Sequence, residues 1–328
     1  MIEFTMPSLG ADMEDAVLVE WKKHVGEHVQ RGDIIAEVET QKGDIEIEVF
    51  DTGTITDIRV DPGQRVPVGT VLALIDPDID VSANGKLSVA KSSADARPKP
   101  SAEKFPAATA DSIRAAVAAA VTTSNREIPH YYLSTTIDMQ PAMAWLHAHN
   151  SAVPIELRLL PTVLYIKAIA KALRDVPDLN ATWDKGLHHL EHVHVGVVVS
   201  LRQVGIIVPT IKDADTKSLD SIMADLNDII PRARELRLRS SDVGNATITL
   251  TSLGEGGVDH VYGVIYPPQV AVIGVGGVRR QPLAVNGSVE VRPVVTITMA
   301  GDHRATDGLT GSTFLSNVAT YLQHPETL

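Results

Sequence analysis

Val25-Gly26-Glu27-His28-Val29-Gln30-Arg31-Gly32-Asp33-Ile34-Ile35-Ala36 recurs, 37 residues further on, as Pro62-Gly63-Gln64-Arg65-Val66-Pro67-Val68-Gly69-Thr70-Val71-Leu72-Ala73. In each copy two glycines bracket a valine and lead into an apolar run. Glycine suits turns that need positive φ, and short apolar runs bounded by turns read as strands. Two copies of a small β-unit imply a flattened barrel or sandwich with pseudo-two-fold symmetry. Its midpoint falls at Glu39-Thr40-Gln41-Lys42-Gly43, with IIAEVE (34–39) before it and IEIEVF (45–50) after it. This pattern predicts a tight hairpin with Lys42 at its tip, projecting into water. On its own, a lysine at a turn is ordinary solvated surface. What singles Lys42 out is its place at the centre of a repeat.

The chain has 328 residues, enough for two domains. Three segments separate by composition: an all-β domain at 1–80, a linker at 81–110 and a larger domain at 111–328. The linker is dominated by Ala, Ser, Pro and Lys, with little apolar surface to offset its ordering entropy. A coil of that length spans roughly 30 Å on average and about 100 Å when stretched. The net charge is −12, which argues against nucleic acid and against an anionic membrane surface, because both call for clustered positive charge. No apolar run reaches spanning length and no signal peptide is legible, so the expected location is the cytoplasm. The chain has no cysteine, which excludes disulfides, thiolate metal sites and a cysteine nucleophile.

The larger domain reads as α/β with a mixed sheet. Helices are expected through SIRAAVAAAVTTSN (112–125), around 140–149, over 161–175, over 218–238 and over 308–323. The third opens with Pro161 in its first turn and shows one apolar face: Val163, Ile166, Ile169, Ala170 and Leu173. Strands are expected at 129–137, 193–201, 205–211, 246–252, 270–276 and 289–300. The last strand leads into Gly301-Asp302-His303-Arg304-Ala305-Thr306-Asp307-Gly308. A His-x-x-x-Asp-Gly string is weak by itself. Its place, in a loop between a long strand and a helix, is where rigid scaffolds put chemistry, and histidine can act as a base near neutral pH. The histidines 188, 189, 192 and 194 lack a carboxylate framework, so no metal site is expected. Gly274, Gly276 and Gly277 lack the strand–turn–helix setting of a nucleotide fingerprint and read as glycines for close strand packing.

Residues 3–76 resemble a lipoyl domain, with MPSLG, VGEHVQRGD, ETQKGDIEIE and VDPGQRVPVG in order. The resemblance implies that Lys42 carries lipoic acid in amide linkage. The neighbours Gln41 and Gly43 stand where the family usually has Asp and Ala. Biotin carriers share the fold but flank their lysine with methionines. Residues 111–328 resemble the chloramphenicol acetyltransferase-like catalytic domain of dihydrolipoamide acyltransferases, the core component of 2-oxo acid dehydrogenase complexes. The matching stretches are SIRAAVAAAVTTSNREIPHYY, LYIKAIAKAL with PDLNATW, GIIVPTIKDADTKSL, TITLTSLGEGGVDHVYGVIYPPQVAVIGVG and DHRATDG.

That resemblance implies acyl transfer between a lipoyl arm and the co-substrate coenzyme A. His303 is implied as the catalytic histidine, Asp307 as a structural ion-pairing aspartate, and Thr251 as the hydroxyl donor to the oxyanion. Ser252 is the alternative one residue along. The active site is implied to lie between subunits of a homotrimer. Ion-pair partners for Asp307 are not evident; Arg114 is the candidate. The implied partners are a 2-oxo acid decarboxylase and a lipoamide dehydrogenase. The usual helical module that binds them is not legible between the linker and the catalytic match, so their contacts are expected to be weak or non-standard. The ending HPETL (324–328) lacks a longer apolar tail, which leaves assembly beyond a trimer open. The competing reading is a lipoyl-bearing structural component with an inactive transferase domain.

Overall fold

The computed structural model describes residues 1–7, 13, 15–40, 43–77, 110–201, 205–235, 237–254 and 257–328. The expected linker, apart from Ala110, lies outside them. They cluster into two compact units, one within residues 1–77 and one of Ala110–Leu238 and Asp242–Leu328.

The first unit is all β. Its strands are β1 (Ile2–Thr5), β2 (Asp15–Trp21), β3 (His28–Val29), β4 (Ile34–Thr40), β5 (Gly43–Glu48), β6 (Gly53–Ile58), β7 (Arg65–Pro67) and β8 (Val71–Pro77). They form two facing layers, ordered β1-β8-β6-β3 and β5-β4-β2-β7. The repeat is visible atom by atom. Gly26 and Gly63 have φ of 94° and 88°, and Gly32 and Gly69 have 92° and 85°. Gly26 N–H donates to Ile55 O at 2.7 Å, and Gly63 N–H donates to Leu18 O at 2.7 Å. The core pairs off by the same offset: Leu18 with Ile55, Ile35 with Leu72, and Val38 with Ile75, all fully buried. Each such side chain contributes about 1.5–3 kcal/mol by leaving water.

The second unit is a helix-covered mixed sheet. In chain order it contains α1 (Ala110–Glu127), β9 (His130–Asp138), α2 (Gln140–Ala152), α3 (Pro161–Asp175), β10 (Ala181–Trp183), β11 (Leu187–His189), β12 (Val195–Val197), β13 (Val199–Leu201), β14 (Gly205–Ile207) and β15 (Thr210–Ile211). There follow α4 (Leu219–Arg234), the short β16 (Leu238–Arg239), of which only Leu238 belongs to this unit, β17 (Ile248–Ser252), β18 (Ala271–Val275), β19 (Arg279–Val285), β20 (Ser288–Asp302) and α5 (Gly308–Gln323). The main sheet runs β15-β12-β17-β18-β20-β19, with β9 also on β20. β17 lies parallel to β12 and β18, while β20 is antiparallel to β18 and β9.

Several elements differ from the sequence expectation. The two strands expected at 193–201 and 205–211 are four short ones; β12 and β15 join the main sheet, while β13 and β14 form a two-stranded sheet among the described residues. Local alternation does not reveal which partner a strand takes. β19 and the β10–β11 hairpin went unread. α4 stops at Arg234 rather than 238. α3 is buried well beyond its expected apolar face, with Leu164, Tyr165, Ala168 and Ala172 also covered, because it packs against α2, α4 and α5. Even Lys167 is buried there. Its ammonium donates to Asp215 O and Lys217 O at 2.6 Å each and to Ala214 O at 3.4 Å. Those carbonyls replace water for the charge, although burial still holds the lysine below its ordinary pKa.

The glycines near 274 do permit close packing. A Cβ on Gly274 would lie 1.8 Å from Val261 O, and one on Gly276 2.0 Å from Asp259 O. The segment 257–266 rests directly on these strands. Gly274→Ala is therefore expected to cost the second unit about 3 kcal/mol or more in urea unfolding. Gly186→Ala, with nothing within 4 Å, is expected to change it by no more than about 0.5 kcal/mol.

Candidate active site

β20 delivers Asp302 and His303 to the edge of the sheet. Asp302 is fully buried. Its carboxylate accepts from Arg304 N at 2.9 Å, from Nε at 3.0 Å and from Nη2 at 2.7 Å, and its backbone carbonyl accepts from Ala305 N and Thr306 N at 3.0 Å each. Arg304 also lies over the Trp183 ring at 5.2 Å. This tight turn leaves His303 exposed. Its backbone N–H donates to Pro129 O at 2.9 Å, and its ring sits 5.0 Å from that of Tyr131, tilted by 59°.

Tyr131 is a site residue that the sequence did not single out; in the sequence it is one aromatic in a strand. Its hydroxyl bonds to that of Thr306 at 2.9 Å. Its ring fills the space that a Cβ on Gly301 would need, 2.5 Å away. Burial, with Asp307 and Asp302 nearby, raises its pKa, so the phenol stays protonated.

Asp307 is the N-cap of α5. Its carboxylate accepts from Thr310 N at 2.9 Å and from Thr310 Oγ1 at 3.0 Å. These bonds to the charged form, the backbone one first, lower its pKa. Within one chain its role is that of a cap, and the basic side chain of the turn, Arg304, pairs with Asp302 instead. The side chain of Arg114 lies outside the described residues.

Thr251 sits near the end of β17, half-buried, opposite Gly274 of β18. A Cβ on Gly263 would lie 3.5 Å from its methyl group, so Thr251 faces segment 257–266. Ser252 points to the other face by strand alternation, and its Oγ accepts from Gly254 N at 3.2 Å. One chain does not bring Thr251 and His303 together. Thr251 is level with Gly274, and Gly274 with Thr298, while His303 lies five residues beyond Thr298. Strand rise and spacing place them on the order of 20 Å apart. The Tyr131 beside His303 packs on the other face of the sheet, against Gly311 of α5.

Lys42 lies outside the described residues. β4 and β5 stay paired up to Thr40 and Gly43, so only Gln41 and Lys42 connect them. The lysine that stands between those strands in the sequence supplies the primary amine that an amide-linked prosthetic group requires. Two acids oppose each other beside it, Glu39 and Asp44. Burial, and then Asp44, raises the Glu39 pKa; burial, and then Glu37, raises that of Asp44.

The four histidines each have a local partner. His188 bonds to Asp184 O, His189 to Asp178, and His192 to Asp213, while His194 Nδ1 accepts from Asp213 N. Among the described residues, no helix is long and apolar enough to cross a membrane.

Residues 103–328 match the family described as 2-oxoacid dehydrogenases acyltransferase (catalytic domain). The chain belongs to this family. Residues 2–75 match the biotin/lipoyl family described as Biotin-requiring enzyme. Among relatives of the acyltransferase, the proteins from Rickettsia bellii and Rhizobium meliloti are each named dihydrolipoyllysine-residue acetyltransferase component of pyruvate dehydrogenase complex. They are 22% identical over 409 residues and 25% over 441, each alignment covering 99% of this chain and 98% of the relative. Both alignments are longer than the 328 residues here, so the relatives carry stretches this chain lacks. A probable dihydrolipoamide acetyltransferase from Listeria monocytogenes is 27% identical with a TM-score of 0.61, covering 65% of this chain and 92% of that one. The cubic core of the pyruvate dehydrogenase multienzyme complex shares the fold, at 24% identity and a TM-score of 0.63, covering 69% and 93%.

The cap geometry of Asp307 has a defined pH signature. A carboxylate with a lowered folded-state pKa stabilises above its unfolded pKa, and that contribution fades as pH falls through the folded value. Asp307→Ala is expected to melt lower than the parent at pH 7, with the gap closing towards pH 3, as followed by circular dichroism.

Proposed function

We propose that His303 and Thr251 of neighbouring protomers form the site at which this dihydrolipoamide acyltransferase moves an acetyl group from a lipoyl arm to coenzyme A. The acetyl assignment follows the names of the relatives. Carried on Lys42, lipoic acid in its reduced, acylated form supplies the thioester.

A thiol of ordinary pKa is only a few per cent thiolate at pH 7. His303 takes the proton from the coenzyme A thiol as that sulfur attacks the acyl carbon. Thr251 Oγ1 donates a hydrogen bond to the carbonyl oxygen as negative charge develops there. His303 then returns its proton to the leaving dihydrolipoyl sulfur. No bond to the protein forms, in keeping with a chain that has no cysteine. Asp302, Arg304 and Tyr131 fix the turn that presents the imidazole, and the Asp307 cap fixes the start of α5.

The observation that carries this reading is the separation of His303 from Thr251 across one chain's sheet, in a protein whose family is an acyltransferase. A second copy supplies the missing half. The exposed side of β9 (Tyr132, Ser134 and Thr136) offers surface for such a copy, and a closed homotrimer is the assembly proposed. The inactive-scaffold reading requires one of the two side chains to be withdrawn, whereas His303 is exposed and Thr251 half-exposed. Linker and lipoyl domain together would hold the arm near the site at about millimolar effective concentration. The decarboxylase and lipoamide dehydrogenase are proposed as partners through weak or non-standard contacts, and the cytoplasm as the location.

His303→Ala is expected to abolish coenzyme A-dependent consumption of S-acetyl-dihydrolipoamide while leaving the oligomer intact. Thr251→Ala is expected to lose about 100- to 1000-fold in kcat. Co-refolding the two variants should restore roughly a quarter of parental turnover, as random assortment in a closed ring predicts; no recovery would contradict a shared site. Incubation with a lipoylating system should raise the intact mass by one lipoyl group in the parent and leave Lys42→Ala unchanged.

A further inference from the structure

The segment 257–266 lies beside Thr251, and what holds it there is unusual. Ile265 is buried in a cluster with Ile128, Val272 and Ala300, and side chains hold both of its backbone polar groups. Ser124 Oγ donates to Ile265 O at 2.6 Å. Ile265 N–H donates to His130 Nε2 at 3.2 Å. His130 Nδ1 lies 2.8 Å from Ile128 O, and only an Nδ1–H can make that bond. The two bonds together assign a neutral His130, donor at δ and acceptor at ε. The imidazole thus staples the α1–β9 connection to a segment 135 residues away. Further along, Thr298 Oγ1 donates to Val261 O, and Gly277 N–H to Val258 O at 3.0 Å.

Between these anchors sits Gly263. A Cβ there would come within 2.8 Å of Val272 and 3.5 Å of the Thr251 methyl. The position of the backbone at 263 therefore bounds the space open to the Thr251 side chain. The same imidazole also begins a row of rings. His130 stacks on Tyr132 at 6.0 Å, Tyr132 meets Tyr262 edge-on at 5.9 Å, and Tyr262 stacks on His260 at 6.5 Å. The row repeats the staple at side-chain level, tying β9 to segment 257–266.

We infer that His130 is a positioning residue for acyl transfer: through Ile265 and segment 257–266 it fixes the hydroxyl of Thr251 where the oxyanion develops. This rests on the assignment of Thr251 as the donor. A donor must be held at 2.7–3.1 Å from the oxyanion to be effective, and a hydroxyl on a half-buried threonine is free to turn unless its neighbours are fixed. His130 touches no reacting atom in this arrangement.

The test is a double-mutant cycle on the full-length, lipoylated oligomer. His130→Asn keeps the donor to Ile128 O and loses the acceptor for Ile265 N; His130→Gln places an acceptor oxygen near the former Nε2. His130→Asn is expected to lower kcat about tenfold, a fraction of the loss from removing the donor itself, with the KM for coenzyme A changed by less than about twofold. His130→Gln should recover most of that loss. In a Thr251→Ala background His130→Asn should change kcat by less than about twofold, because the two residues act on one interaction. Hydrogen exchange at the 257–266 peptide should accelerate in His130→Asn and not in His130→Gln. A crippled Thr251→Ala enzyme in which His130→Asn still exacts its full tenfold loss would overturn the positioning role alone. A Thr251→Ala enzyme at the parental rate would overturn the donor assignment and this inference with it. Should His130→Asn fail to assemble, unprotected exchange at the Ile265 amide of the parent would overturn the proposal, and strong protection would support it.

Discussion

The ladder that β20 makes with β18 on one side and β9 on the other decides where the chemistry sits. Its register places Gly301 beneath Tyr131 and Thr298 level with Gly274. From these pairings follow the turn that ends in His303, the packing of α5 behind it and the distance to Thr251. Antiparallel registers resist slipping because a one-residue shift would move every side chain of β20 to the opposite face of the sheet, into a differently shaped interior. From Val294 to Asp302 that strand is buried without interruption, so the penalty for a slip is large. The same rigidity keeps His303 and Thr251 apart within a chain.

Two units of opposite character share this polypeptide. In the first, glycines with positive φ and symmetric hydrogen bonds build a small β-sandwich in which β4 and β5 stay paired up to Thr40 and Gly43. Acidic residues crowd the strands on either side, where burial first and then a neighbouring carboxylate raises the Glu39 and Asp44 pKa. In the second, a helix-covered sheet holds polar groups in fixed positions: a buried aspartate bracing an arginine, a tyrosine ring packed beside a histidine, and two side chains bracing both backbone polar groups of Ile265. The first and last of these satisfy buried polar atoms that would otherwise destabilise the interior.

Much of this was legible in the sequence, and the reasons differ by residue. The repeat could be read because four glycines recur at one offset, and the backbone there demands them. Gly274 and Gly276 could be read as close-packing positions, although not what lies upon them. His303 could be placed because a strand, a turn and a helix are each marked by local pattern. His130 and Tyr131 could not, since their roles depend on Ile265 and Thr306, more than a hundred residues distant. The fate of residues 193–211 was equally hidden, because short alternating strands do not specify their partners. Asp307, implied by the resemblance as an ion-pairing aspartate, is a helix cap within a single chain.

In the proposed reading, no protomer holds a complete site. The direct measurement is specific activity against protein concentration, with the oligomeric state followed in parallel by sedimentation velocity. Turnover per chain should fall in step with the trimer fraction as the protein is diluted, reaching background in the monomer. Monomers that retain the full turnover per chain would contradict the account.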